Sequence, residues 1–347
     1  MKIEGRSVGV NFNPFIIAEM SGNHGGSLNA AHKIIEEVAK TGVDAIKLQT
    51  YTADTMTINI RSNEFSVEDK NSLWFGRSLY DLYSEAATPW EWHEELFSHA
   101  KSLGLIAFST PFDETAVDFL ESLNVPCYKI ASFENTDLEL IKKVARTGKP
   151  IIISTGMSTV AEISESVITA RENGCSELVL LKCTSSYPAE PKDINLKTIP
   201  HMKELFGCEI GLSDHTLGIG VAVASVAFGA SVIEKHVTLD RNDGKVDSEF
   251  SMVPEELKKL VSEARIAQSA LGKIKYGASD SENQSFIHRR SIYVVEDIRE
   301  GEIFTMKNIR AIRPGLGLPI KFINEIIGKR VNCDITKGTP LSWKHIG

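Results

Sequence analysis

The chain of 347 residues is 42% hydrophobic and 24% charged, a composition that suits one large globular domain together with a small one. Its 46 acidic and 38 basic residues give a formal net charge of −8 without a long run of either sign, so we expect neither nucleic acid nor a membrane as a partner. Five cysteines without a CxxC pair, no signal-like apolar segment and no apolar stretch of about 18 residues favour a cytoplasmic protein.

Short apolar runs, rich in β-branched residues, recur along the chain, and each run ends in polar residues. Eight of them end near Glu19, Gln49, Ser109, Ala131, Ser154, Cys183, Ser213 and His236. Helical patterns separate the runs, for example over 28–40, 136–148, 158–174 and 254–271. Continuous apolar strands that alternate with helices predict a parallel sheet, and eight such units predict an α/β fold of the (β/α)8 TIM-barrel type.

Two stretches depart from this rhythm. Residues from about 52 to 89 are inserted after the second strand, and they carry aromatic residues such as Trp74 and Tyr83 that would cover the active-site face of a barrel. From about residue 281, short strands with turn residues predict a small β-rich module. We therefore predict a barrel domain at 1–272, a linker at 273–288 and a C-terminal module at 289–347.

A candidate metal site lies at the ends of the seventh and eighth predicted strands. His215 and His236 follow neighbouring parallel strands, so both imidazoles would emerge at one edge of the sheet, within reach of one divalent ion. Imidazoles with open positions for oxygen ligands suit Mn²⁺, Mg²⁺, Co²⁺ or Zn²⁺, and the sequence does not choose among these metals. In the alternative interpretation, each histidine only ends a core strand, with its ring bonded to the backbone.

Buried lysines are the second candidate feature. Lys47 and Lys129 lie inside apolar strands, where a lysine needs an anionic partner, and nearby hydroxyl groups would help to bind a phosphate or carboxylate. Internal ion pairs with Glu19 or Glu234 would satisfy the same requirement. A Schiff-base aldolase would also use a buried lysine, and a sugar-binding module without catalysis is a third possibility.

Seven ordered segments resemble the sialic-acid synthase family: 17–24, 44–50, 109–113, 128–132, 154–157, 211–216 and 234–240. Residues 310–315 lie in a module similar to the antifreeze-like (SAF) domain. The resemblance implies condensation of phosphoenolpyruvate with an N-acetylated aminosugar, giving a nine-carbon 2-keto acid and phosphate. It also implies Mn²⁺ or Mg²⁺, with Co²⁺ as another option, on His215 and His236, and a domain-swapped homodimer in which Arg313 reaches the sugar in the barrel of the partner subunit.

The resemblance also assigns the remaining site residues. Phosphoenolpyruvate would be bound by Lys47, Gln49, Thr110, Lys129, Ser132, Ser154 and Ser213. Ser185 and Tyr187 would contact substrate, and Glu19, Lys47 and Asp247 would be catalytic. We hypothesise that a metal polarises the aldehyde of the open-chain sugar for attack by C3 of phosphoenolpyruvate, that water adds at C2, and that phosphate leaves by C–O cleavage. Glu19 would stabilise the cation at C2 or move a proton.

Within the family, segments 18–21, 47–52, 77–83 and 88–92 are most similar to the pseudaminic acid branch. Ser185 stands where the N-acetylneuraminate branch more typically has asparagine. The substrate implied is 2,4-diacetamido-2,4,6-trideoxy-β-L-altropyranose, which lacks a 6-hydroxyl group and carries an additional acetamido group, so it would suit a pocket lined by aromatic residues. N-acetylneuraminate or legionaminate synthesis from another N-acetylated aminosugar is the alternative.

Overall fold

A computed structural model describes residues 1–70 and 72–347 of the chain. These residues form two compact units, Met1–Gly272 and Lys273–Gly347. Within the described ranges, no helix is long and apolar enough to cross a membrane.

The first unit is a closed barrel, as the sequence predicts. Within the described residues, eight parallel strands pair in chain order, and the last closes the circle by pairing with the first. A short antiparallel hairpin of two strands precedes them. The strands are β1 Lys2–Ile3, β2 Arg6–Ser7, β3 Phe15–Glu19, β4 Ala45–Thr50, β5 Ile106–Pro111, β6 Tyr128–Ile130, β7 Ile151–Ser154, β8 Leu178–Cys183, β9 Glu209–Ser213 and β10 Val232–His236.

The barrel strands are buried on both faces, which explains why their sequences read as continuous apolar runs. Helices surround them, with starts fixed by local capping; Thr159, for example, exchanges hydrogen bonds with Glu162 in the predicted capping box. The helices are α1 Leu28–Ala39, α2 Ala53–Met56, α3 Leu79–Ala86, α4 His93–Ser102, α5 Glu114–Ser122, α6 Leu138–Ala145, α7 Val160–Glu172, α8 Thr198–Phe206, α9 Gly220–Ala227 and α10 Pro254–Leu271.

Strand β5 extends beyond its predicted end. The sequence places that end at Ser109, but the pairing of β5 with β4 continues through Thr110 to Pro111. The prediction was wrong because a hydroxyl residue and a proline resemble the start of a loop, whereas here the neighbouring strand supplies the pairing partners. Thr110 is therefore part of the barrel wall and fully buried.

Gly211 lets β9 and β10 approach each other closely. A Cβ atom at this position would lie 2.3 Å from the carbonyl oxygen of Val232. No side chain fits at that distance, so the glycine sets the spacing of the two strands that end near His215 and His236.

The second unit has its own hydrophobic core, built around Ile292, Phe304, Ile309 and Val331. Two antiparallel strands cross it, β11 Ser291–Val294 and β12 Ile309–Ile312, together with the short helix α11 Ile323–Ile326. The segment 335–341 forms only isolated bridges. A turn at Gly338 and the missing N–H of Pro340 interrupt a regular ladder there.

Candidate active site

A cavity of about 480 Å³ opens at the carboxyl ends of the barrel strands. Predicted site residues that line it are Glu19, Lys47, Gln49, Lys129, Ser132, Ser154, Tyr187, Ser213, His215, His236 and Asp247. Strand register brings them together, because His236 pairs beside Glu19 and Glu19 pairs beside Lys47. The polar residues at successive strand ends thus converge, as expected for a barrel of this type.

The two histidines that were predicted to bind metal lie side by side. The ring centroids of His215 and His236 are 5.3 Å apart. Nδ1 of His215 is 3.0 Å from the carbonyl oxygen of Thr184, a partner that favours a proton on Nδ1 and a lone pair on Nε2. Nδ1 of His236 is buried and has no hydrogen-bond partner, and Asp247 Oδ2 lies 4.0 Å away. The described residues contain no group of three or more His, Cys, Asp or Glu side chains already arranged around a common metal position.

This donor set fits a divalent cation. An unpartnered buried nitrogen, a second imidazole oriented through its outer nitrogen and nearby carboxylates are the groups such ions bind. Burial lowers the pKa of His236 despite the opposing attraction of Glu19 and Asp247, which favours the neutral, ligating form of the ring. In the alternative interpretation, each histidine ring would bond only to the backbone. Only Nδ1 of His215 does so, and neither nitrogen of His236 does.

The buried lysines form ion pairs, as one of the alternatives predicted. Lys47 Nζ lies 3.0 Å from Glu19 and 3.1 Å from Glu234, and Lys129 Nζ lies 3.0 Å from Glu234. Ser213 also donates to Glu234 at 3.0 Å. The two lysines and two glutamates balance in charge, and each side chain is 5% exposed or less. The network is therefore neutral overall, and its carboxylates hold both ammonium groups in place.

Glu19 is an ionised carboxylate in this network. Burial alone would raise its pKa, but His236, Lys47 and Lys129 together hold the pKa below the ordinary value. Its Oε1 accepts a hydrogen bond from Gln49 at 2.8 Å, and its Oε2 lies 3.2 Å from Nε2 of His236. A carboxylate held in this state is suited to stabilising positive charge, and less suited to donating a proton.

The insertion between β4 and α4 covers one side of the cavity, as predicted. Met56, Val67, Trp74, Leu79, Leu82 and Tyr83 from this segment line the cavity together with Tyr51 and Phe112. The ring of Tyr51 packs edge-on against Tyr83 and Phe112. Trp74 donates from Nε1 to the carbonyl oxygen of Val246 at 2.7 Å and packs against Tyr187. We call this set of side chains the apolar wall.

Three predicted site residues do not line this cavity. Thr110 lies inside β5, where its hydroxyl is buried without a hydrogen-bond partner. Ser185 follows β8, and its Oγ would lie 2.2 Å from a Cβ atom at Gly156, so a glycine is needed there. Arg313 is an exposed residue of the second unit. Their proposed roles remain predictions.

The residues that were given specific roles from the sequence did not include Ser21 or Glu134, and Glu234 was expected only as an ion-pair partner of the lysines, although all three line the cavity. The place of Glu234 in the cavity follows from strand geometry, because it precedes His236 by two positions on one strand and therefore shares its face. Burial raises the pKa of Glu134 to about 7. Ser21 follows the first barrel strand, where polar residues are expected to reach the cavity, but nothing in the sequence indicates its backbone conformation.

Comparison with known proteins identifies the family. The NeuB family model matches residues 34–276, and the SAF domain model matches residues 289–347. The chain belongs to the NeuB family. The predicted family, enzyme class and combination of barrel and SAF domain are therefore confirmed.

Among NeuB relatives, a pseudaminic acid synthase of Campylobacter jejuni is 43% identical over 95% of this chain and 97% of its own length. A pseudaminic acid synthase of Helicobacter pylori is 42% identical over 96% and 98% of the two chains. A crystal structure of an N-acetylneuraminic acid synthetase from Leptospira borgpetersenii, in complex with citrate, has a TM-score of 0.73 and 32% identity, over 82% of this chain and 94% of that one.

Proposed function

We propose that this NeuB family enzyme is a pseudaminic acid synthase. It would condense phosphoenolpyruvate with 2,4-diacetamido-2,4,6-trideoxy-β-L-altropyranose and water, giving pseudaminic acid and phosphate. The observation that carries the proposal is the joint presence, in one cavity, of paired lysines, paired histidines and an apolar wall. Sequence identity to this chain favours the same product. It is 42–43% for the two pseudaminic acid synthases, 38% for an N,N'-diacetyllegionaminic acid synthase of Legionella pneumophila and 33% for the human N-acetylneuraminate-9-phosphate synthase.

Phosphoenolpyruvate would bind at the base of the cavity. Lys47 and Lys129 supply positive charge there, and Ser132, Ser154 and Ser213 supply hydroxyl groups. The Ser154 hydroxyl is buried and has no partner within the protein, so a ligand oxygen would satisfy it. Gln49, whose amide bonds to Glu19, and Thr110 complete the proposed set.

The sugar would lie against the apolar wall, with Tyr187 and Asp247 as polar contacts and Ser185 nearby. A trideoxy sugar with two acetamido groups presents methyl groups and few hydroxyl groups, which match Tyr51, Tyr83 and Trp74. We propose that Arg313 contacts the sugar from a second copy of the chain in a domain-swapped homodimer. We also propose that residues 273–288 link a catalytic barrel, 1–272, to the module at 289–347.

His215 and His236 would hold the divalent metal, with Mn²⁺ or Mg²⁺ as the proposed ions and Co²⁺ as an alternative. When bound, such an ion supplies Lewis-acid polarisation of a carbonyl oxygen. The protein's own residues do the rest: the lysines hold the phosphate and carboxylate of phosphoenolpyruvate, and Glu19 stabilises positive charge that develops at C2. The described cysteines form no disulfide, in keeping with a proposed cytoplasmic location.

Mass spectrometry of the products from a panel of acylated aminosugars tests the proposal. We expect the highest kcat/KM with the diacetamido-trideoxy-altrose, and we expect phosphate to retain an ¹⁸O label placed in the bridging oxygen of phosphoenolpyruvate. A higher kcat/KM with N-acetylmannosamine or the legionaminate precursor would contradict the assigned sugar.

Two further measurements test the metal and the class of chemistry. EDTA should abolish activity and Mn²⁺ should restore it, whereas full activity in chelator would contradict the metal role. Borohydride should trap no adduct between the enzyme and pyruvate, because a captured adduct would indicate a Schiff-base aldolase.

A further inference from the structure

Ser21 has an unusual backbone conformation at the edge of the cavity. It directly follows Met20 after β3, and its φ angle is +48°, in the left-handed region that favours glycine. The residue is 2% exposed and lines the cavity. Strained residues in functional clefts persist where the surrounding structure requires them, so the choice of serine at this position needs an explanation.

The side chain of Ser21 explains why serine occupies this position. Its hydroxyl donates a hydrogen bond to Oδ2 of Asp247, a residue 226 positions away in the sequence. Asp247 lines the cavity, and the same oxygen lies 4.0 Å from Nδ1 of His236. Residues 240–245, which precede Asp247 in the loop after β10, are mostly exposed. The buried hydrogen bond between Ser21 and Asp247 therefore holds the loop in place where it reaches the cavity.

Contacts on two sides hold the turn that contains Ser21 in place. Asn23 donates from Nδ2 to the carbonyl oxygen of Val237 and to the hydroxyl of Ser251, at 2.8 and 2.9 Å. A Cβ atom at Gly22 would lie 2.9 Å from the Cβ atom of Ala86 in the insertion, so only glycine fits there. The turn therefore cannot shift to relieve the strain at Ser21 without losing contacts on both sides.

We propose that Ser21 is a positioning residue, whose hydroxyl fixes the direction of the Asp247 carboxyl group toward the sugar. The inference rests on the proposed function in one respect, because Asp247 is taken to contact the sugar there. It also explains the sequence: glycine would adopt the backbone conformation more easily but would lose the hydrogen bond, so serine is the residue that satisfies the site at some cost to the fold.

The variants Ser21→Gly and Ser21→Ala separate this role from a structural one. Ser21→Gly relieves the strain and loses the hydroxyl, so we expect an unchanged or higher Tm together with a kcat/KM for the sugar that is at least about tenfold lower. The KM for phosphoenolpyruvate should stay within about twofold, because its proposed ligands are untouched. Ser21→Ala keeps the strain and loses the hydroxyl, so it should lower both Tm and kcat/KM.

Asn124→Gly is the matched control, since Asn124 also has a left-handed φ angle, +52°, but is exposed and lies outside the cavity lining. It should not change kcat/KM. A double-mutant cycle of Ser21→Gly with Asp247→Asn supplies the second test: if Ser21 acts through Asp247, the double variant should be no slower than Asp247→Asn alone.

The inference would be overturned by a Tm of Ser21→Gly that falls in parallel with activity, or by effects of the Ser21→Gly and Asp247→Asn substitutions that multiply. Full kcat/KM in Ser21→Gly would overturn it as well. All rates are measured with the sugar that the wild-type enzyme turns over best. If that sugar is not the trideoxy-altrose, the proposed function fails, whereas the comparison of Tm with kcat/KM still decides the role of Ser21.

Discussion

The buried ion pairs at the base of the barrel give a prediction with a defined size. Glu234→Gln keeps the shape of the side chain and an acceptor for Ser213, but it removes a carboxylate partner from Lys129 and from Lys47, which keeps its contact with Glu19. Breaking one buried pair costs about 3–5 kcal/mol, and Glu234 contacts two lysines, at 3.0 and 3.1 Å, which places the loss at the upper end. At about 2–4 °C per kcal/mol, Tm should fall by roughly 10–20 °C.

Thermal unfolding followed by circular dichroism, with chelator present throughout, measures this loss. Inorganic phosphate should raise the Tm of Glu234→Gln more than that of the wild type, because the unpaired ammonium groups bind an anion more strongly. Asp118→Asn is the matched control: it breaks an exposed pair, Asp118 with Lys143 at 2.7 Å, which should be worth less than about 1 kcal/mol. Equal losses in the two variants, or equal stabilisation by phosphate, would refute the reasoning.

Three further predictions concern stability and substrate binding. Burial raises the pKa of Glu134 from 4.5 to about 7, so between these pH values the native state binds a proton that the unfolded state has lost. The free energy of unfolding of the wild type should therefore fall by up to about 3 kcal/mol as pH rises through this window. Urea titrations at pH 5 and 8 should show a smaller fall for Glu134→Gln. Gly211→Ala should lower the free energy of unfolding by about 3 kcal/mol because of the contact with Val232, whereas Gly220→Ala, with no atom within 4 Å of the new Cβ atom, should raise it by up to about 1 kcal/mol. Trp74→Phe removes the indole hydrogen bond and should raise the KM for the sugar about 3- to 10-fold in steady-state assays, with the KM for phosphoenolpyruvate unchanged.

Each of these expectations has a distinct contrary outcome. A Glu134→Gln variant with the same dependence of stability on pH as the wild type would show that another group titrates in this range. A tolerated alanine at Gly211 would mean that β9 and β10 can separate. A change in the KM for phosphoenolpyruvate in Trp74→Phe would place the apolar wall at the wrong substrate.

Much of the barrel could be predicted from the sequence because its signal is local. Each strand is a continuous apolar run that ends in polar residues, and a parallel barrel necessarily gathers those ends in one place. His215, His236 and Lys47 could therefore be assigned to one cavity without any knowledge of their distances. The extension of β5 through Thr110 could not be predicted, since it depends on pairing with β4 and not on its own residues.

Other features depend on contacts between distant parts of the chain. The sequence offered Glu19 or Glu234 as partners for the lysines, and only the register of the strands shows that both serve. The bond between Ser21 and Asp247 spans most of the barrel sequence, and the left-handed conformation of Ser21 has no signature in its residue type. The aromatic residues of the insertion were recognisable as a group, but which of them face the cavity depends on how α2 and α3 fold.

Helix α3 packs closely against Gly22 through Ala86, and this contact bears on how the preference for a sugar could change. The side chains of α2 and α3 form part of the apolar wall, whereas the lysines, glutamates and histidines of the cavity come from barrel strands and the turns that follow them. A segment exchanged between relatives over residues 52–89 would therefore carry recognition of the sugar with it and leave the reacting groups in place, provided that a small residue at Ala86 is retained. Chimeric enzymes built in this way would alter selectivity in a single step.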